Sequence, residues 1–315
     1  MTPSAPSRGK VAAAFAIVYV IWGSTYLAIL YAIETLPPLL MAAARFFLAG
    51  GLLFAWARSR GVPMPTRRQW RACAVAGLLM LMAGNGAVVW AETRIASGVA
   101  ALIVAIVPCW MVLFEWLSGG ERPTGRVVAG LGLGLLGLGL LVGPEGFMGG
   151  GRIDLVGAAV LVLGGFAWAG GSIYARGHDF PAPRMSTAAQ MLAGGAGLLV
   201  MGTLFGEWGQ LDLSAVSTQS IIGLLYLVVF GSIIAYSAYV WLLRVSTPAR
   251  VSTYAYVNPV VAVVLGWLFA GEALTLRMGI AAAVIVAGVA LITLKRPAPR
   301  ASQQPKPEVP RRQAA

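Results

Sequence analysis

The chain has 315 residues, of which 58% are hydrophobic and only 11% charged, and its mean hydropathy is +0.80. Soluble proteins carry about 25% charged residues; a soluble core of this size cannot hide so much apolar surface, so the composition specifies a polytopic membrane protein. The single histidine, His178, and two cysteines in apolar runs, Cys73 and Cys109, argue against a metal centre or a His-based catalytic triad, because neither cysteine has metal or redox spacing.

Apolar windows of about 20 residues, the length that crosses a bilayer as a helix, fall at 11–32, 37–57, 70–91, 95–117 and 124–143. A second set falls at 153–175, 184–204, 218–242, 249–270 and 276–294. The first run follows Arg8 and Lys10 in the manner of a secretory signal, yet it reaches Ala32. That exceeds a signal's apolar region, so it is expected to stay as the first span. From Lys295 the chain turns to Pro, Gln, Lys and Arg without apolar periodicity, which predicts a disordered basic tail over 295–315. The expected fold is all-α and integral to the membrane, with ten transmembrane helices.

Two stretches, 97–130 and 248–281, match at an offset of 151 positions. Pro108 falls on Pro259, Gly120-Glu121 on Gly271-Glu272, Thr124 on Thr275 and Arg126 on Arg277. Trp22 aligns with Trp168 at a slightly different offset, and Leu48-Ala49-Gly50-Gly51 recurs as Leu192-Ala193-Gly194-Gly195. The chain therefore reads as two five-helix copies, 11–143 and 153–294. Five is odd, so the second copy enters the membrane upside down. Inverted repeats are a common plan for secondary transporters, because exchanging the conformations of the halves switches access between faces.

Most of the 23 Lys and Arg residues fall on one side: Arg8 and Lys10, Arg58 to Arg71, Arg122 and Arg126, Arg176 and Arg184, Arg244 and Arg250, and the tail. The positive-inside bias then places both termini in the cytoplasm. The net charge of +12 thus reflects topology and contact with anionic lipid of the bilayer; no nucleic-acid partner is implied.

Several of these residues carry a resemblance. Ile21-Trp22-Gly23-Ser24-Thr25-Tyr26, Leu36-Pro37-Pro38 with Arg45-Phe46, Gly84-Asn85-Gly86, Pro108 with Gly120-Glu121-Arg122, and Tyr254-Ala255-Tyr256-Val257-Asn258-Pro259 with Gly271-Glu272 resemble EamA-type members of the drug/metabolite transporter superfamily. Within it they are most similar to the YddG- and YedA-like inner-membrane exporters. The resemblance covers about 11–294. It implies a central cavity between the halves, lined mainly by spans one, three, four, six, eight and nine. It also implies export of small-molecule substrates, aromatic and other amino acids or related compounds, with no cofactor.

The residues supply their own candidates for a midplane site. Tyr19, Trp22 and Tyr26 share one helical face, as do Ser232, Tyr236 and Tyr239. Tyr254 and Asn258 are one turn apart, and Trp110 and Trp168 lie at comparable depth. Aromatic rings offer flat apolar contact and cation–π attraction for an ammonium group; the alternative is simple packing. Asn85, between Gly84 and Gly86, and Asn258, before Pro259, either orient a ligand or bridge helices. Arg45 lies mid-span, where a charge is costly. It is read as holding helices together, with Glu92 or Glu115 as candidate partners, in preference to binding a ligand's carboxylate. Glu121 and Glu272 are read as structural corners near the starts of new helices, and Pro108 and Pro259 as structural marks of the repeat. Gly130/Gly134 and Gly139/Gly143 support close packing of the fifth span.

No phosphate-binding Gly-x-x-x-x-Gly-Lys-Ser/Thr loop occurs, nor any paired-carboxylate constellation that would suggest an enzyme. The expectation is a secondary transporter exporting amino acids, aromatic ones foremost, by alternating access. The alternatives are a multidrug or nucleoside-type metabolite exporter and a non-transporting membrane scaffold. Oligomeric state, monomer or dimer, stays open.

Overall fold

The structure is a computed structural model that describes residues 6–95, 100, 103–148, 154–270 and 275–294. Every regular element among them is helical. Besides two four-residue helical turns at Glu207–Gln210 and Pro248–Val251, these are, in chain order, α1 (Arg8–Ile33), α2 (Pro38–Ser59), α3 (Arg67–Ala91), α4 (Val107–Leu117), α5 (Gly125–Met148), α6 (Leu155–Gly177), α7 (Pro183–Leu204), α8 (Thr218–Val245), α9 (Tyr254–Ala270) and α10 (Leu276–Thr293). Among the described residues seven of them, α1, α2, α3, α6, α7, α8 and α10, are long and apolar enough to cross a membrane. Of the others, α4 and α9 are shorter, with 11 and 17 residues, and α5 is apolar over Gly125–Leu141. Large apolar side chains stand exposed along these helices, among them Leu27, Leu52, Leu163, Val200, Ile222 and Val286. Hydrocarbon accommodates such a surface, and closed backbone hydrogen bonding lets helices meet it.

The packing follows a simple rule. α2 lies against α7, and α5 against α10. α3 packs on α6 as α8 packs on α1, and α4 packs on α6 as α9 packs on α1. Exchanging the first five helices with the last five maps α2/α7 and α5/α10 onto themselves and each of the other pairings onto another. The helices numbered one, three, six and eight thereby form the centre, where Trp22, Trp168, Tyr236 and Tyr239 are buried together.

Two of the central helices are not regular. α3 carries a π-helical segment at Leu78–Asn85, and α8 carries one at Leu227–Tyr236. Such i→i+5 stretches are rare and concentrate at functional sites. The aligned prolines also differ in setting: Pro108 lies in the first turn of α4, whereas Pro259 lies inside α9.

The helix ends are secured by particular side chains. Glu207, buried between α7 and α8, accepts the backbone N–H groups of Leu39 at 3.2 Å and Leu40 at 2.8 Å. These are donors of the first turn of α2, which has no side-chain cap of its own, and a carboxylate is favoured there. Glu207→Ala is expected to destabilise the protein by about 2–3 kcal/mol, as for hydrogen bonds to a charged group, with Glu207→Gln losing less. Thermal unfolding in detergent measures this. Asp154 caps α6 through Val156 and Gly157, and Arg94 pairs with it at 3.4 Å. At the first corner the cap on α5 comes from Thr124, which accepts from Val127 N, while Glu121 stays exposed. Thr275 caps α10 in the same way; Glu272 lies outside the described residues. The glycines of α5 meet α9 and α10: a methyl at Gly134 would sit 2.6 Å from the Tyr256 ring. Gly139 has no such neighbour.

Candidate functional site

Trp22 is the hub of the centre. Its ring meets Trp168 edge-on at 5.6 Å, Tyr254 edge-on at 4.9 Å, and Tyr239 at a tilt at 5.0 Å. Edge-to-face contacts of this kind add about 0.5–1.5 kcal/mol each beyond burial. The indole N–H donates to the carbonyl of Gly231, inside the π segment of α8, at 3.2 Å. One side chain of α1 thus touches α6, α8 and α9 at once.

The second tryptophan is fixed as firmly. Trp168 donates to the Tyr239 hydroxyl at 2.9 Å, which also bonds Ser172 at 2.7 Å. Close approach of α3 sets the other side of the ring: a methyl at Gly84 would lie 2.9 Å from Trp168. The Tyr236 hydroxyl donates to Gln190 Oε1 at 2.7 Å, and Gln190 in turn donates to Ser186 at 2.9 Å. Buried polar groups need such partners, and here they also lock the rotamers of the rings.

A cavity lies beside this cluster. Its volume is about 90 Å³, enough for several waters but small against the roughly 300–1,000 Å³ of ligand pockets. Of the residues expected at a substrate site, Trp22, Tyr26, Asn85, Trp168, Tyr236, Tyr254 and Asn258 line it. Ser232 and Tyr239 stand behind the wall, each bonded to a lining residue. Trp110 lies apart: it is stacked on Phe114 at 6.3 Å and edge-on to Phe166 at 5.5 Å.

Two polar side chains of the lining tie helices together. Asn258, with its amide nitrogen directed at acceptors, donates to Tyr254 O at 3.0 Å and Tyr19 O at 3.2 Å. Its nitrogen therefore ties α9 to α1. Tyr19 adds a second tie through its hydroxyl to Thr253. Arg45, assigned above to helix packing, lines the cavity itself. It is only 4% exposed, donates from Nε to Ser232 Oγ at 2.7 Å, and passes 4.9 Å from the Phe46 ring centroid. Its Nη1 has no hydrogen-bond partner. Neither carboxylate proposed for it makes the pair. Both oxygens of buried Glu92 are themselves without a hydrogen-bond partner, and Glu115 feels Arg176 and Glu121 instead. Asn85 Oδ1 is likewise buried and unpartnered.

Gln190, Ser172 and Thr25 were not foreseen. Ser172 sits one helical turn after Trp168, a spacing that could have flagged it. Gln190 is a polar side chain in an apolar window, the same signal that drew attention to Asn85.

Against known proteins, the profile of the EamA-like transporter family matches twice, over residues 10–143 and 155–294. The chain belongs to the EamA-like transporter family. This transporter is 40% identical to the inner membrane transporter YedA of Escherichia coli K12 over 279 residues, 88% of each chain. It is 26% identical to the transporter YvbV of Bacillus subtilis, covering 94% of this chain and 95% of that one. It is also 25% identical, over 87% of its length and 91% of the other's, to an Escherichia coli K12 protein described as a probable amino-acid metabolite efflux pump. A solved crystal structure superposes with a TM-score of 0.75 at 23% identity, covering 91% of this chain and 97% of that one, which speaks for the fold. The EamA-like transporter is a multi-pass protein of the inner membrane and moves a small-molecule substrate across it.

Proposed function

We propose that this transporter exports amino acids, aromatic ones foremost, by alternating access, and that the cavity beside Trp22 is its substrate site. The carrying observation is the wall of Trp22, Trp168 and Tyr254 beside polar groups of α2 and α3. An aromatic side chain stacks on such a wall, and an ammonium group is attracted to its ring faces. The described efflux pump at 25% identity agrees in substrate class.

The two profile matches and the exchange symmetry of the helix pairings support ten spans in two inverted halves, 11–143 and 153–294, with both termini cytoplasmic. The contracted cavity then belongs to a closed stage of the cycle, and substrate enters when the halves rock apart. Proteoliposomes holding the purified protein and loaded with radiolabelled amino acids test the reading. Faster release of aromatic amino acids than from empty liposomes is expected. Equal rates across a panel of all twenty amino acids would reject the substrate class, and a competition series with nucleosides and cationic dyes would then identify the rival classes.

A further inference from the structure

The cavity holds two buried polar atoms of opposite character that nothing among the described residues satisfies. One is the guanidinium Nη1 of Arg45, a donor; the other is Oδ1 of Asn85, an acceptor. Polar groups buried in this way are normally paired. A buried guanidinium with an unfilled donor is a larger anomaly, because desolvating a charge costs more than desolvating a neutral group. The described ion pair, Arg94 with Asp154, is elsewhere. The guanidinium is nonetheless held in place. Ser232, inside the π segment of α8, anchors Nε, and Gly231 leaves so little space that a methyl there would come within 2.8 Å of Nη2. The group is oriented, buried and open on one side to the cavity.

We infer that Arg45 is the anion anchor of the cavity: it takes the carboxylate of the substrate, while Asn85 Oδ1 takes a donor of the same molecule. An Arg fork matches a carboxylate geometrically, and the hydrogen bond is charge-assisted. With the aromatic wall lining the same cavity as these two groups, the three features match the carboxylate, ammonium and side chain of one aromatic α-amino acid. This assignment rests on the cavity being the substrate site. It also explains why a charge is kept in the middle of α2: the protein carries an unpaired cation in one state so that a ligand's anion can complete it.

The test uses the full-length protein in detergent and in proteoliposomes, with three probes of one skeleton: L-phenylalanine, phenylethylamine, which lacks the carboxylate, and 3-phenylpropionate, which lacks the ammonium. Binding is followed by thermal stabilisation and tryptophan fluorescence, and transport by flux. Phenylalanine and phenylpropionate are expected to bind wild type; phenylethylamine is expected to bind at least tenfold more weakly than phenylalanine. Arg45→Gln is expected to weaken both carboxylates by about 10- to 100-fold, the range of a hydrogen bond to a charged group, with phenylethylamine unchanged. Arg45→Lys keeps charge without the fork and should fall between. Asn85→Leu should weaken phenylalanine and leave phenylpropionate unchanged. Unaltered ratios among the probes in Arg45→Gln would overturn the anchor, as would wild type that binds neither carboxylate. Carboxylate binding lost in Arg45→Gln, with no flux in wild type, would keep the anchor and reject the export reading. Flux of phenylalanine that Arg45→Gln leaves intact would do the reverse.

Discussion

Trp22→Ala is expected to reduce transport at least tenfold, more than any other single change in the aromatic wall. The ring contacts Trp168, Tyr239 and Tyr254, and its N–H is bonded to Gly231. Truncating a buried tryptophan costs about 3–5 kcal/mol, so the variant should also unfold at a lower temperature. Trp22→Phe separates the two effects. It keeps a ring in contact with its neighbours and loses the hydrogen bond, at a cost of about 1 kcal/mol. If the ring is a wall for substrate, Trp22→Phe should restore most of the stability and a substantial part of the flux. Full flux in Trp22→Ala, measured in liposomes at matched protein content, would remove Trp22 from the site.

Glu92 predicts a pH effect of the opposite sense to that of most carboxylates. It lies just past the end of α3, is buried, and has neither oxygen hydrogen-bonded. Burial pushes its carboxyl up to about 8. The folded protein therefore holds this proton at pH values where the unfolded chain has released it. Between the ordinary carboxylate range and pH 8 the folded state binds more protons, so stability falls as pH rises, by up to about 1.4 kcal/mol per pH unit. Above pH 8 the loss is complete. Glu92→Gln removes the ionisation, and its unfolding temperature should exceed that of wild type at pH 9 while matching it near pH 5. A pH-independent difference between the two proteins would contradict this account. Tyr26 of the cavity is within electrostatic reach of Glu92, so the same variant should also change the pH profile of flux.

Much of this was legible from residue type and spacing. Trp22, Trp168, Tyr236 and Tyr254 stood out because large amphipathic rings at mid-span depth, one or two helical turns apart, need a common environment. Trp110 had the same depth and type yet faces Phe114 and Phe166. Depth is set by sequence position, whereas the direction a helix turns toward its neighbours is set by partners far away in the chain. Arg45 shows the same limit. Its cost in hydrocarbon was evident, and a carboxylate was the natural partner to seek, but the group that holds it is Ser232 on α8, and its Nη1 has no hydrogen-bond partner. Asn258 was the right residue type for a bridge or a ligand contact, and only the packed α1 shows that its nitrogen serves the bridge. The π segments left no trace, because in a run that is apolar all round a change of hydrogen-bond register does not alter the pattern of hydrophobic and polar residues.

Those two segments make the length of the chain part of the candidate site. Gly84 and Asn85 lie at the end of one, Gly231 and Tyr236 within the other, and all four face the cavity. A hydrogen bond to the fifth residue accommodates one residue more than an ordinary turn. Removing a single residue from either segment would let the backbone return to 3.6 residues per turn while the helix beyond it roughly keeps its direction. The loss would be local: the wide turn that brings Gly84 and Asn85, or Gly231 and Tyr236, to the cavity. The same deletion in a regular stretch of these helices would turn everything beyond it by about 100°, so the segments are the places where a change in residue count resets the cavity wall and leaves the rest of the helix in register.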